Sequence, residues 1–159
     1  MNRTALAVRI IVPALWLGMI LALSFLEAPL KFQAPGITTE LGLGIGRLVF
    51  TALNISSIVL LAIVTLALIR PRSGRLPWGI VGGMWVVLLV EVLLIRPSLN
   101  ARTDQLLAGI DPGPSMLHYL YIAADVILCA LIVWFIVVAV RQILPTAEPG
   151  RVHEQSRGQ

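Results

Sequence analysis

An all-α, integral membrane four-helix bundle with antiparallel neighbours is the fold class this sequence predicts, and three observations predict it. Apolar residues make up 58% of the chain against 13% charged, and the mean hydropathy is +0.92, far from an ordinary soluble domain. The apolar residues collect into four stretches of about the length, roughly 20 residues, needed to cross hydrocarbon about 30 Å thick. Proline separates these stretches: of the ten prolines, only Pro13 falls inside one.

Taken in order, the spans read at about 10–26, 48–69, 78–95 and 116–140. The first is short and carries Pro13, which removes the hydrogen bond to the Arg9 carbonyl and bends the helix. Arg3 and Arg9 precede it as in a secretory signal, but Ala28 has no A-x-A pattern before it and Pro29 directly after it. The segment is therefore expected to stay as a span. The third contains Glu91. A soluble bundle would need a polar face on each helix, whereas 58–69 and 128–140 are apolar around the whole helix. Each remaining proline tends to end a helix at or before the preceding residue. Pro29 and Pro97 thus close the first and third spans, and the outer loop after Pro97 carries Asn100, Arg102, Asp104, Asp111 and a Pro-Gly-Pro turn at 112–114. Residues 142–159 turn polar and aperiodic and read as a mobile cytoplasmic tail.

Basic residues set the orientation. Arg3, Arg9, Arg70, Arg72, Arg75, Arg141, Arg151 and Arg157 flank one side, eight in all, against four on the other: Lys31, Arg47, Arg96 and Arg102. The positive-inside rule places both termini in the cytoplasm and the first and third loops outside. Trp78 falls at the expected inner interface, Tyr119 and Tyr121 near the outer one. Eleven of the twelve basic residues are Arg. With abundant Ala, Leu and Val, that usage fits a GC-rich bacterial genome, and so a bacterial inner membrane.

Polar residues within the spans gather toward the outer side. Ionisable groups in a bilayer cost on the order of 2.5–3.5 kcal/mol on insertion, so they face the bundle interior with a partner. Glu91 lies about 7 Å below the outer end of span three, and Asp125 about 10 Å below that of span four. Arg47, Thr51 and Asn54 form one stripe on span two. His118, Asp125 and Cys129 share a face of span four, and Glu27 closes span one. The candidate site is therefore Glu27, Arg47, Asn54, Glu91, His118 and Asp125. Read as scaffold, Arg47 pairs with Glu91 or Asp125 and Asn54 bonds across helices. Read as function, the layer is a proton-, ion- or solute-coordinating cavity open to the outside. Two carboxylates against one Arg leave a surplus acid, which keeps the second reading open.

Other chemistry finds little purchase. His118 has no second His or useful Cys spacing near it, and the lone Cys129 sits in an apolar helix, so no metal and no cofactor is expected. Gly42, Gly44 and Gly46 do not have the spacing of a dinucleotide fingerprint; they, with Gly79, Gly82 and Gly83, fit close helix approach instead. No catalytic signature is present. Basic residues are spread over loops rather than clustered, so no nucleic acid partner is expected.

The segment Phe25-Leu-Glu-Ala-Pro-Leu-Lys-Phe32, then Gly44-Ile-Gly-Arg-Leu-Val-Phe50 and Asn54, resembles the first hairpin of the transmembrane protein 205-like family. Pro97-Ser-Leu-Asn100-Ala-Arg102 and Leu117-His118 are similar to its second half. The resemblance covers most of residues 20–125 but does not extend to Glu91 and Asp125. It implies four helices, recurrent residues on the outer face and no established reaction. Two functions fit the whole: transport or permeation by a homo-oligomer through the outer polar layer, or a non-enzymatic accessory module bound to a larger membrane protein complex. In both, the lipid bilayer is the principal surrounding partner.

Overall fold

A computed structural model of the chain describes residues 3–69, 73–110, 113 and 115–142. The expectations placed on Arg70, Pro71, Arg72, Asp111, Pro112, Pro114 and the tail beyond Gln142 lie outside the described residues, as does the Arg3 side chain.

Among the described residues all regular structure is helical. Four helices are long and apolar enough to cross a membrane: α1 (Thr4–Gln33), α2 (Thr39–Ile69), α3 (Arg75–Leu107) and α4 (Leu117–Arg141). They form a four-helix bundle in which α1 packs on α2 and α4, and α3 packs on α2 and α4. Each buries a narrow stripe. On α3 it runs Pro77, Val81, Met84, Leu88, Glu91, Ile95; on α4 it runs Tyr121, Asp125, Leu128, Ile132, Phe135, Ala139. That alternation of three and four residues is the seam of a left-handed bundle. The other faces are also apolar, with Leu66, Val86, Leu93, Leu94 and Trp134 all more than half exposed. So much contiguous apolar surface suits lipid rather than water.

Hydrogen bonds tie the seam at several levels. Trp16 Nε1 donates to Ser57 Oγ at 2.8 Å between α1 and α2, and Trp85 Nε1 to Thr65 Oγ1 at 3.1 Å between α3 and α2. Arg9, read from sequence as a topological flank, is buried. Its Nε and Nη2 donate to the Ala67 carbonyl at 3.0 and 2.7 Å. Ala67 is in the last turn of α2, where carbonyls lack intrahelical partners and the helix dipole favours a cation.

Pro29 and Pro97 do not end their helices. In each case a widened, π-helical turn precedes the proline: Leu21–Glu27 in α1 and Glu91–Ile95 in α3. The Ala28 N–H reaches back to the Leu23 carbonyl and the Arg96 N–H to the Glu91 carbonyl, five residues rather than four. The helix then restarts with proline in its first turn, where a missing N–H is tolerated and its φ suits the helix. As a result α1 runs beyond residue 26 and α3 beyond 95. Asn100, Arg102 and Asp104, expected in a loop, lie on helix. What stops α3 is Gly109, at φ 77°, with its N–H on the Leu106 carbonyl and the Ile110 N–H on that of Gln105. That is a Schellman stop.

The expectation for the glycines divides. A Cβ at Gly42 would run into the Phe32 ring and one at Gly46 would lie 2.8 Å from Lys31 Nζ, whereas one at Gly83 would make ordinary contact with Leu131 at 3.6 Å, and Gly44, Gly79 and Gly82 have open space around them. Close approach is therefore confined to the start of α2.

The Trp16–Ser57 bond is expected to show a coupling of about 0.6 kcal/mol, typical of interhelical hydrogen bonds in membrane proteins. A double-mutant cycle of Trp16→Phe and Ser57→Ala, read by unfolding in mild detergent, checks it; additive effects would mean the bond contributes nothing.

Candidate functional site

Where α1 leaves its widened turn and α2 begins, the bundle opens into a cavity of about 450 Å³, within the range of small-molecule sites. Every helix contributes wall. Ser24, Phe25, Lys31 and Phe32 come from α1; Gly42, Gly46, Arg47 and Phe50 from α2; Arg96, Leu99 and Thr103 from α3; His118, Tyr121, Ile122 and Asp125 from α4. Below it the seam is tightly filled by Trp16, Ile20, Leu53, Leu88 and Leu128, each no more than 2% exposed.

The six residues expected from sequence do not share one setting. Glu91 and Asp125 are buried, at 1% and 3% exposure, with their carboxyls beside one another and Asp125 also beside Ser24. Around them Ser24 Oγ, Glu91 Oε1 and the Tyr121 hydroxyl are buried without a hydrogen-bond partner. Asp125 faces the cavity, with Glu91 behind it. His118 is exposed on the cavity wall, edge-on to Tyr119.

Arg47 departs from expectation, meeting neither Glu91 nor Asp125. It pairs with Asp104 at 2.6 Å and donates to the Asn100 carbonyl at 3.0 Å, both delivered by the part of α3 beyond Pro97. Glu27 pairs along its own helix with Lys31 at 3.4 Å. Asn54 is buried about 10 Å deeper on α2 than Arg47. The cross-helix bond expected of it is made by Ser57, one turn on.

The cation nearest the acids is Arg96, which sequence reasoning placed in an outer flank. It is buried, at 9% exposure, and its field acts on both Glu91 and Asp125. Its Nη2 donates to Thr51 Oγ1 at 3.1 Å and to the Arg47 carbonyl at 3.3 Å. Five α-helical residues would set Arg96 about 140° around the helix from Glu91. The widened turn adds a residue to the turn and brings both inside. A glutamate five residues before an arginine followed by proline was the available signal.

Aromatic rings bind the cations to the wall. Lys31 Nζ lies 5.3 Å and the Arg96 guanidinium 5.6 Å from the Phe50 ring centroid, both within cation–π range. The Tyr121 ring meets Phe50 edge-on at 5.4 Å. Tyr121 is thus a core residue rather than part of an interfacial belt. Among the described residues no three His, Cys, Asp or Glu side chains lie close enough to hold a metal ion.

In comparisons with known proteins, no family model, curated protein or solved structure matches this chain.

The two arginines are expected to differ in consequence. Arg96→Met removes the cation beside two buried carboxyls and should destabilise by on the order of 3 kcal/mol, with Glu91→Gln restoring a substantial part. Asp104→Asn breaks a pair whose aspartate side chain is 63% exposed and should cost less than about 1 kcal/mol. Unfolding of the three variants in one detergent measures both; equal losses at Arg96 and Asp104 would contradict the assignment.

Proposed function

We propose that this chain is a multi-pass protein of the bacterial cell membrane whose cavity binds a small solute or ion on the outer side and passes it across. Both termini face the cytoplasm in this reading, and neighbouring helices run antiparallel. The supporting observation is the junction of cavity and buried acids. Asp125 faces the space that a solute would enter, and Glu91 lies directly behind it. Facing carboxyls can hold one proton between them, and buried acids of this kind mark relay and coupling sites in membrane carriers. Four helices enclose little volume, so several copies assembling together fit the reading better than one.

One observation favours a second reading. Beneath the cavity the seam is closed by fully buried side chains, so passage requires the helices to rock apart. A non-enzymatic accessory module of a larger membrane complex would need no such motion, only a rigid cavity that binds.

Two measurements test the proposal. A reporter fused after Arg141 should read as cytoplasmic; an outside reading would invert the cavity. Purified protein in liposomes should move protons or a small solute, and Asp125→Asn should lower that flux at least tenfold, the scale expected for loss of an acid that carries the step. Absence of flux from the wild type would leave the accessory reading in its place.

A further inference from the structure

The geometry points to an anionic amphiphile as the ligand of this cavity: a phosphate or similar oxyanion head held by Lys31, Arg47 and Arg96, with an alkyl tail lying against the apolar wall. This rests on the cavity being a binding site, as proposed above, and names the chemistry it selects.

Charge comes first. Lys31, Arg47 and Arg96 line the space with a single carboxylate, Asp125, on the wall, while the other acids that meet these cations, Glu27, Asp104 and Glu91, stand outside the lining. A cationic solute would ordinarily be drawn to aromatic faces, but here two resident cations already sit over the Phe50 ring. A cation entering would meet both, whereas an oxyanion would meet their unused donors.

Those donors exist. Lys31 Nζ carries three N–H groups and makes one long contact, 3.4 Å to Glu27, while its side chain is only 9% exposed. Arg47 Nε and the Tyr121 hydroxyl are unpaired in the wall just behind the cavity surface, where a small turn of either side chain would bring a further donor to the ligand. The lysine is also seated: Gly46 leaves it room, since a Cβ there would lie 2.8 Å from Nζ. Charge-assisted bonds from lysine and arginine are the usual means of holding phosphate, and basic pockets between membrane helices hold lipid head groups.

The tail follows from the remainder of the lining. Phe25, Phe32 and Ile122 belong to the cavity wall yet are 40%, 46% and 38% exposed. The wall therefore runs continuously into the lipid-facing surface of α1 and α4. An inorganic anion would leave that surface unused; an amphiphile from the bilayer covers it and brings its head to the cations.

The test uses the full chain in maltoside micelles, titrated with decyl phosphate, inorganic phosphate or decyltrimethylammonium. Thermal shift gives affinity and native mass spectrometry gives stoichiometry. Decyl phosphate should bind one per chain and raise Tm; the ammonium amphiphile should do neither. Lys31→Gln should weaken decyl phosphate roughly tenfold, the scale of one charge-assisted bond, and Lys31→Arg should retain it. Gly46→Ala keeps every charge but displaces the ammonium, so it should also weaken binding, and it keeps the test valid if Lys31→Gln misfolds. Equal binding of the ammonium amphiphile, or no loss in either weakening variant, would overturn the inference. Inorganic phosphate binding as tightly as decyl phosphate would overturn the amphiphile and leave a free oxyanion. Liposome flux separates the two claims: flux without decyl phosphate binding removes this ligand alone, and binding without flux removes transport alone.

Discussion

Hydrocarbon offers no hydrogen-bond partners, and the arrangement of this bundle follows from that constraint. Each buried polar group must be met by another part of the protein. Most of the seam obeys it through single bonds: an indole to a hydroxyl, or the Arg9 guanidinium to the last turn of α2. At the cavity end the constraint is met differently. Three cations, two buried carboxyls and a tyrosine share one region, and several of their atoms remain unpaired. Among the described residues, four of the five buried side-chain atoms left unpaired lie here, Ser73 Oγ being the fifth, and such a concentration is what a binding site would leave.

The widened turns make that region. A proline in a continuous helix removes one donor and crowds the preceding turn; a π-helical turn absorbs the crowding by adding a residue. Such turns recur at functional sites because they rotate everything that follows. In α3 the rotation moves Arg96 to the side of Glu91 and sends the following turns across to Arg47. In α1 it carries Ser24 to Asp125 and sets Lys31 against Gly46 and Phe50. Two prolines at matching places therefore assemble most of the cavity without a loop.

The sequence made the helices legible because lipid demands apolar residues all round, and that signal is strong in any window of span length. It also made legible that Glu91 and Asp125 would be buried on the same side of the membrane, where the structure sets them side by side. It hid the pairing of charges. Arg47 meets Asp104 rather than those acids, because the helix continues past Pro97 and carries Asp104 across to it. Arg96 was missed for the same reason, since its angular position makes sense only after the turn is widened. The Glu27–Lys31 pair was legible as an i, i+4 contact. The glycines were half legible: spacing identifies a small-residue face, but only the opposing Phe32 and Lys31 distinguish Gly42 and Gly46 from Gly44.

Scaffold and function are not exclusive accounts of these charges. Arg47 and Asp104 form a rim pair that a variant can lose cheaply, and Glu27 restrains Lys31 only loosely. Arg96 is different, because its bonds to Thr51 and the Arg47 carbonyl lock it to α2 while its charge balances acids on α3 and α4. It therefore holds the cavity floor and faces the cavity at once. A ligand oxyanion meeting Arg96 would compete with Asp125 and Glu91 for the same positive field and weaken the hold of the guanidinium on the acids. Binding in the cavity and the state of the acid pair beneath would then be linked through that single side chain, by differential interaction with one charge. If the bundle does move its ligand, this linkage is the physical route by which occupancy of the cavity can loosen the closed seam below it.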